Sequence, residues 1–250
     1  MSGHSKWAQI KRQKGANDAR RGAVFTKVAR EITIAARAGG GDPDGNFKLR
    51  LAMEKARGVN MPMDNIKRAI ERAAGGGEAE QYEEITYEGY GPGGVAILVE
   101  TATDNRNRTA ADIRAIFTRA GGQLAGAGAV AWQFQPRGAI AIPRDDQDAD
   151  EVALLAIDLG AEDVDTDADP LEVYTASGDL ERVRHGLEQA GVKIESAELD
   201  MQARNTIEVD AARARQNLKL IETLEDHDDV QRVTANFEIP DEVLAEATPA

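Results

Sequence analysis

Before residue 75 the apolar residues of this chain recur at steps of three and four; alternation by two first appears near residue 85 and from there is interleaved with helical stretches. Helices require the first rhythm and half-buried strands the second, so the chain must divide into a helical part and a sheet-bearing part. In the helical part, Val24, Phe25, Val28, Ala29, Ile32 and Ala36 share one face of a helix predicted over 17–38. Gly39, Gly40 and Gly41 end it. A second helix over 46–57 follows the turn Asp42-Pro43-Asp44-Gly45, carries Phe47, Leu51 and Ala52, and stops at Gly58. Pro62 opens a third, with Ile66, Ala69, Ile70 and Ala73 on one face and Asp64 near the positive end of the helix. Gly75 to Gly77 close it, giving a small three-helix bundle over residues 1–76.

Beyond it, strands over 85–89 and 95–101 flank the turn Gly91-Pro92-Gly93-Gly94, followed by a helix over 106–120 and a strand over 130–134 with Val130, Trp132 and Phe134 on one face. Residues 139–142, 150–159, 163–165, 171–175, 180–190 and 192–199 then read strand, helix, strand, strand, helix, strand, the ferredoxin-like βαββαβ order. A helix over 210–225 and a strand over 230–239 are surplus to that unit and are expected to complete the sheet begun at Ile85. The expected fold is therefore α+β and multidomain: an N-terminal three-helix bundle followed by two α/β domains of ferredoxin-like type, one inserted in the other. The expected boundaries are 1–76, then 82–135 plus 205–240, with 136–204 as the insertion; the last ten residues are expected to fray.

Charge follows the same division. The 250 residues carry a net −14, but residues 1–76 hold 16 Lys or Arg against 7 Asp or Glu, whereas residues 77–250 hold 14 against 37. A +9 segment on a chain already soluble through its −23 remainder has no solubility role, and polyphosphate is the natural partner for it. In the first helix Arg20, Lys27, Arg30 and Arg37 fall within an arc of about 100°, beside the apolar face. Ahead of it lie Lys6, Lys11, Arg12 and Lys14, with Trp7 available to stack on a base or to cover the bundle. No zinc-finger spacing, basic zipper or aromatic RNA-binding strand is present, so base readout is not visible.

Other candidates point away from catalysis. The chain has no cysteine, which removes thiolate nucleophiles and disulfides and fits a reducing compartment. Without a secretory signal or an apolar run of membrane length, a cytoplasmic protein with no membrane partner is expected. Gly-Tyr-Gly-Pro-Gly-Gly at 89–94 lacks the Lys-Ser/Thr of a phosphate loop and reads as a hairpin turn. Asp163, Asp165, Asp167 and Asp169 imitate a calcium loop, but Ala168, Pro170 and Tyr174 stand where it needs other residues, so an exposed acidic turn is expected. His4, His185 and His227 are isolated, and His227 reads as a surface turn residue. At 104–109 either Thr103 or Asp104 is expected to cap the helix, with an anion or a second nucleic-acid contact as the alternative. No catalytic residue, metal ligand, cofactor or small-molecule substrate is expected.

GHSKWAQIKRQKGANDARRGAVFTKVAREITIAARAGGGDP from Gly3, LRLAMEKARGVNMPMDNIKRAI from Leu49, YEGYGPGGVAILVETATDNRNRT from Tyr87 and ANFEIP from Ala235 together resemble the YebC/PmpR family of bacterial regulatory proteins, whose mitochondrial relatives act as translational activators. The resemblance covers nearly the whole chain and implies three domains, no catalysis and no cofactor. It also implies that nucleic-acid binding rests on the basic stretch holding Lys6, Trp7, Lys11, Arg12, Lys14, Arg20, Arg21, Lys27 and Arg30. Two targets stay open, DNA in transcriptional control and ribosomal RNA in a factor that helps translation through proline-rich stretches, the ribosome then being the partner.

Overall fold

The computed structural model describes residues 18–74, 82–144 and 147–247. Helices α1 (Asp18–Gly39), α2 (Phe47–Gly58) and α3 (Met63–Ala74) form the N-terminal bundle, with Val28, Ile32, Leu49, Ala52, Ala56 and Ile66 in its core. Asn46 makes the corner between the first two helices. Its Oδ1 accepts the Leu49 N–H at 3.1 Å and its Nδ2 donates to the carbonyls of Ala35 and Gly40, each at 2.8 Å. One buried amide thus satisfies groups that two helix ends leave open. Gly40, at φ 91°, supplies the left-handed turn after α1.

The expected bundle is altered at Phe47 and Leu51, which point out of it into the core of another domain. At 100° per residue they lie opposite Leu49 and Ala56, so α2 has two apolar faces and serves two cores.

After the bundle the chain runs β1 (Glu83–Tyr90), β2 (Ala96–Thr103), α4 (Arg106–Arg119), β3 (Gln123–Leu124), β4 (Phe134–Ile142), α5 (Ala149–Asp158), β5 (Asp163–Asp165), β6 (Leu171–Ala176), α6 (Leu180–Gln189), β7 (Ser196–Ala203), β8 (Ile207–Glu208), α7 (Ala211–Glu225), β9 (Val230–Ala235), β10 (Phe237–Glu238) and α8 (Asp241–Ala247). Two antiparallel four-stranded sheets result, ordered β3-β1-β2-β9 and β5-β6-β4-β7. The second carries the βαββαβ order of a ferredoxin-like unit. Its first and last strands run side by side, Phe134 opposite Ala203, and β9 then joins the first sheet with Ala235 opposite Ile97.

Both faces of β2 are covered, which is why Ala96 to Val99 is an unbroken apolar run. Ile97 and Val99 pack with Ile113 and Phe117 of α4 and Ile221 of α7; Ala96 and Leu98 pack with Val130 and Phe134. Residues 130–134 do not form the expected strand. A 3₁₀ turn at Ala131–Gln133 throws Trp132 outward, 69% exposed, while Val130 and Phe134 remain buried. The strand expected over 192–199 begins only at Ser196, because the Val192 N–H still closes the end of α6 on the Leu187 carbonyl at 3.0 Å. The strand expected over 230–239 breaks at Asn236, whose Oδ1 takes the Ala96 N–H at 2.7 Å. Nor does the chain fray from residue 241: α8 forms and buries Val243.

Candidate nucleic-acid interface

The N-terminal bundle meets the first sheet around Asp229, the residue before β9. This carboxylate is buried, and groups from two elements converge on it: Arg30 Nη1 of α1 on Oδ1 at 2.8 Å, and Arg108 Nη2 and Thr109 Oγ1 of α4 on Oδ2 at 2.8 and 2.7 Å. Burial alone would push the Asp229 carboxyl up. The hydrogen bonds from Arg108 and Thr109 and the charges of Arg108 and Arg30 outweigh it and hold the group below its ordinary value. Arg30 also donates to the Asp228 carbonyl at 2.8 Å and lies over the Tyr82 ring, 5.1 Å from its centre. His227, expected as a plain surface turn residue, accepts the Asp229 N–H on Nδ1 at 3.1 Å and so helps aim that carboxylate. The cap of α4 is neither Thr103 nor Asp104 but Asn105, whose Oδ1 accepts the Arg108 N–H; Thr103 Oγ1 accepts the Asn105 N–H instead.

Of the cations predicted to contact nucleic acid, Lys6, Lys11, Arg12 and Lys14, together with Trp7, lie outside the described residues. Arg20 and Arg21 fall at the start of α1. Lys27 Nζ donates to the Glu225 carbonyl at the end of α7, and Arg30 is taken up by Asp229. The middle of the predicted cationic arc therefore faces the protein's own second domain, a neighbour that a helical wheel cannot include. Arg37, in the last turn of α1, is exposed.

The structure adds Arg68 and Arg72, one turn apart on the exposed face of α3. With Phe25, Thr26, Arg30 and Tyr82 they line a groove of about 550 Å³ between α1 and α3. Guanidinium groups beside aromatic rings and a hydroxyl suit phosphate and base contacts rather than covalent chemistry. Their i, i+4 spacing was available in the sequence; the turning of α3 toward α1 and Tyr82 was not. Lys48, Arg57 and Lys67 are exposed on the same domain.

The bundle is also fixed to the second sheet domain. Arg50 pairs with Glu181, and Arg184 Nη1 meets both carboxylate oxygens of Glu54 at 2.8 Å. Arg232 of β9 bonds Asp200 Oδ1 and Glu198 Oε2 of β7, each at 2.7 Å. Beside it Glu100 of β2 is half-buried, and burial raises its pKa against the opposing charge of Arg232.

Gly89 and Gly91 serve packing, whereas Gly93 and Gly94, at φ 83° and 81°, make the turn. A Cβ on Gly89 would lie 2.6 Å from the Phe117 ring and 2.8 Å from the Gln123 carbonyl oxygen, and one on Gly91 2.1 Å from Asn217 Oδ1. Asp165 Oδ1 accepts the N–H groups of Asp167 and Ala168, each at 3.1 Å, building an acidic turn from its own backbone. Among the described residues no group of three His, Cys, Asp or Glu is placed to hold a metal ion, and no helix is long and apolar enough to cross a membrane.

Two family models match the chain: the TACO1/YebC protein N-terminal domain over residues 5–76 and the TACO1/YebC second and third domain over residues 82–237. A protein of Rubrobacter xylanophilus named "Probable transcriptional regulatory protein" is 55% identical over 247 residues, covering 98% of this chain and 99% of that one. One of the same name from Desulfitobacterium hafniense is 52% identical over 246 residues, covering 97% and 98%. The crystal structure of a conserved hypothetical protein from Aquifex aeolicus superposes with a TM-score of 0.83 at 45% identity, covering 89% of this chain and 92% of that one.

Proposed function

The chain belongs to the TACO1/YebC family, and from that membership we propose that it regulates gene expression, without catalysing a reaction, by holding nucleic acid on its basic N-terminal domain. The names of its relatives favour transcriptional control, and duplex DNA is the ligand that such a role would give the basic domain. One observation carries the contact: the +9 of residues 1–76 set against the −23 of the remainder. Arg37, Lys67, Arg68 and Arg72 are exposed on that domain, and the basic stretch from Lys6 to Arg21 belongs to the same 76 residues. Such contacts neutralise phosphates and release counterions, so affinity must fall steeply with salt. Titration of duplex DNA at physiological salt tests the reading, with Lys11, Arg12 and Lys14 replaced by Ala. Retention unaffected by those changes points to an acidic protein as the ligand instead.

The acidic remainder favours a second reading. A body with 37 Asp or Glu against 14 Lys or Arg is repelled by bare duplex but tolerated where RNA and basic proteins lie side by side, as on a ribosome. Co-sedimentation with ribosomes in a sucrose gradient supports this reading, and its absence removes it.

A further inference from the structure

The most exposed aromatic side chain of the described residues is one the basic domain does not supply. Trp132, 69% exposed, sits on the loop that follows β3, with Tyr90, 37% exposed, beside it. Both ring systems spend their polar atoms on a single acceptor: Trp132 Nε1 donates to the Ala129 carbonyl at 3.2 Å and Tyr90 Oη donates to the same oxygen at 3.0 Å. What they offer a partner is therefore ring face rather than hydrogen-bond donors.

The loop beneath them is fixed from inside. Glu88, buried on β1, accepts the N–H of Gly128 on one carboxylate oxygen at 2.6 Å and those of Val130 and Ala131 on the other at 2.7 and 2.8 Å. The Ala125 N–H adds a bond to the Glu88 carbonyl at 2.8 Å. An aromatic ring held outward on a braced loop has already lost the freedom that binding would otherwise remove.

The electrostatic surroundings narrow the occupant. From Ala120 to Pro136 there are 17 residues without a charged side chain, the longest such run in a chain of which 30% is charged. The loop thus adds no carboxylate of its own to repel a polyanion, and the Glu88 carboxylate beneath it is turned inward onto three backbone N–H groups. Ring faces with their polar atoms occupied fit a flat, sequence-tolerant ligand, which describes an unpaired base. We propose that Trp132, with Tyr90 beside it, is a stacking platform for an unpaired nucleobase, a second contact for the same nucleic acid that the basic domain holds. The platform rests on the nucleic-acid reading above and adds to it that the ligand has a single-stranded part.

The test uses the full chain and two probes, an oligoadenylate of about 12 nucleotides and a blunt RNA duplex of the same length. The chain has two tryptophans, Trp7 and Trp132, so the signal of Trp132 is the difference in emission between wild type and Trp132→Phe. We expect the single strand to quench that difference signal and the duplex to leave it unchanged. In Trp132→Ala, single-strand affinity measured by anisotropy should fall about fivefold or more, with duplex affinity unaltered, while Trp132→Phe stays within about threefold of wild type. Equal single-strand affinity in Trp132→Ala, or identical quenching in wild type and Trp132→Phe, overturns the platform and leaves the basic-domain contact standing. Failure of wild type to bind the single strand overturns the platform, while the basic-domain contact stands or falls on the separate titration of duplex DNA. A wild-type dimer that Trp132→Ala converts to monomer on sedimentation makes the ring a contact between copies, which also overturns it.

Discussion

Arg30 of α1 and Asp229 ahead of β9 meet at 2.8 Å across 199 positions of sequence, with side chains 14% and 2% exposed. The same carboxylate holds Arg108 and Thr109, so a single side chain ties the bundle to the helix and strand of the next domain. Removing one partner of a buried pair leaves the other charge uncompensated. Asp229→Ala should lower unfolding free energy by about 3–5 kcal/mol in denaturant titration, and hydrogen exchange should quicken in α1 as well as at the start of α4. Because the folded carboxyl lies below its ordinary value, its contribution is complete above the unfolded pKa of about 3.9 and is lost as pH falls through the folded one. Wild type and Asp229→Ala should therefore converge in stability in strong acid.

Glu100 should behave in the opposite sense. Burial raises its pKa in the fold, so the ionised form costs stability, and that cost grows as pH rises from the unfolded value of about 4.3 through the folded one. Glu100→Gln should raise the melting temperature at neutral pH by about 1–3 °C, with the gain fading toward pH 4. A melting temperature lower than wild type at neutral pH contradicts this.

Glu88 satisfies three backbone N–H groups at once, and a buried donor left without an acceptor costs about 1–3 kcal/mol. Glu88→Ala should cost about 2–4 kcal/mol in all, since the loop can relax in part. Amide exchange should accelerate at Gly128, Val130 and Ala131 before it does so in β2.

Gly89→Ala tests whether Gly89 is there for packing. The added methyl group meets the Phe117 ring and the Gln123 carbonyl at well under contact distance, and a cost of about 1–3 kcal/mol is expected from overpacking. Calorimetry of the single variant is sufficient, and an unchanged melting temperature refutes the packing role.

For the groove between α1 and α3, the double variant Arg68→Ala with Arg72→Ala should weaken nucleic-acid binding. It should also lower the slope of log affinity against log salt by about 1 for each arginine that touched a phosphate. An unchanged slope removes both residues from the contact.

The α+β layout was legible because it rests on local signals. Periodicity located α1, α2 and α3 to within a residue or two, as glycine, proline and Asn46 mark their ends. Tertiary neighbours were what the sequence could not display. The second apolar face of α2 looked like part of one bundle core until β7 and α6 were seen to cover Phe47 and Leu51. Trp132 looked like a strand residue because Val130, Trp132 and Phe134 alternate; the Glu88 carboxylate, more than 40 residues earlier in the chain, bends the segment out of that register. At the candidate interface the cations were countable from the sequence. Whether each faced solvent depended on Asp229 and Glu225, which the chain supplies about 200 residues later.

Leu49 and Leu51 stand two positions apart on α2 and belong to different hydrophobic cores. Dissecting the molecule at the glycines after α3 would therefore yield a fragment with Phe47 and Leu51 newly wetted, and a remainder missing part of its own interior. The charged head is not a detachable module: melting of α2 would breach two interiors together, and the head and the ferredoxin-like unit should lose structure in one cooperative step.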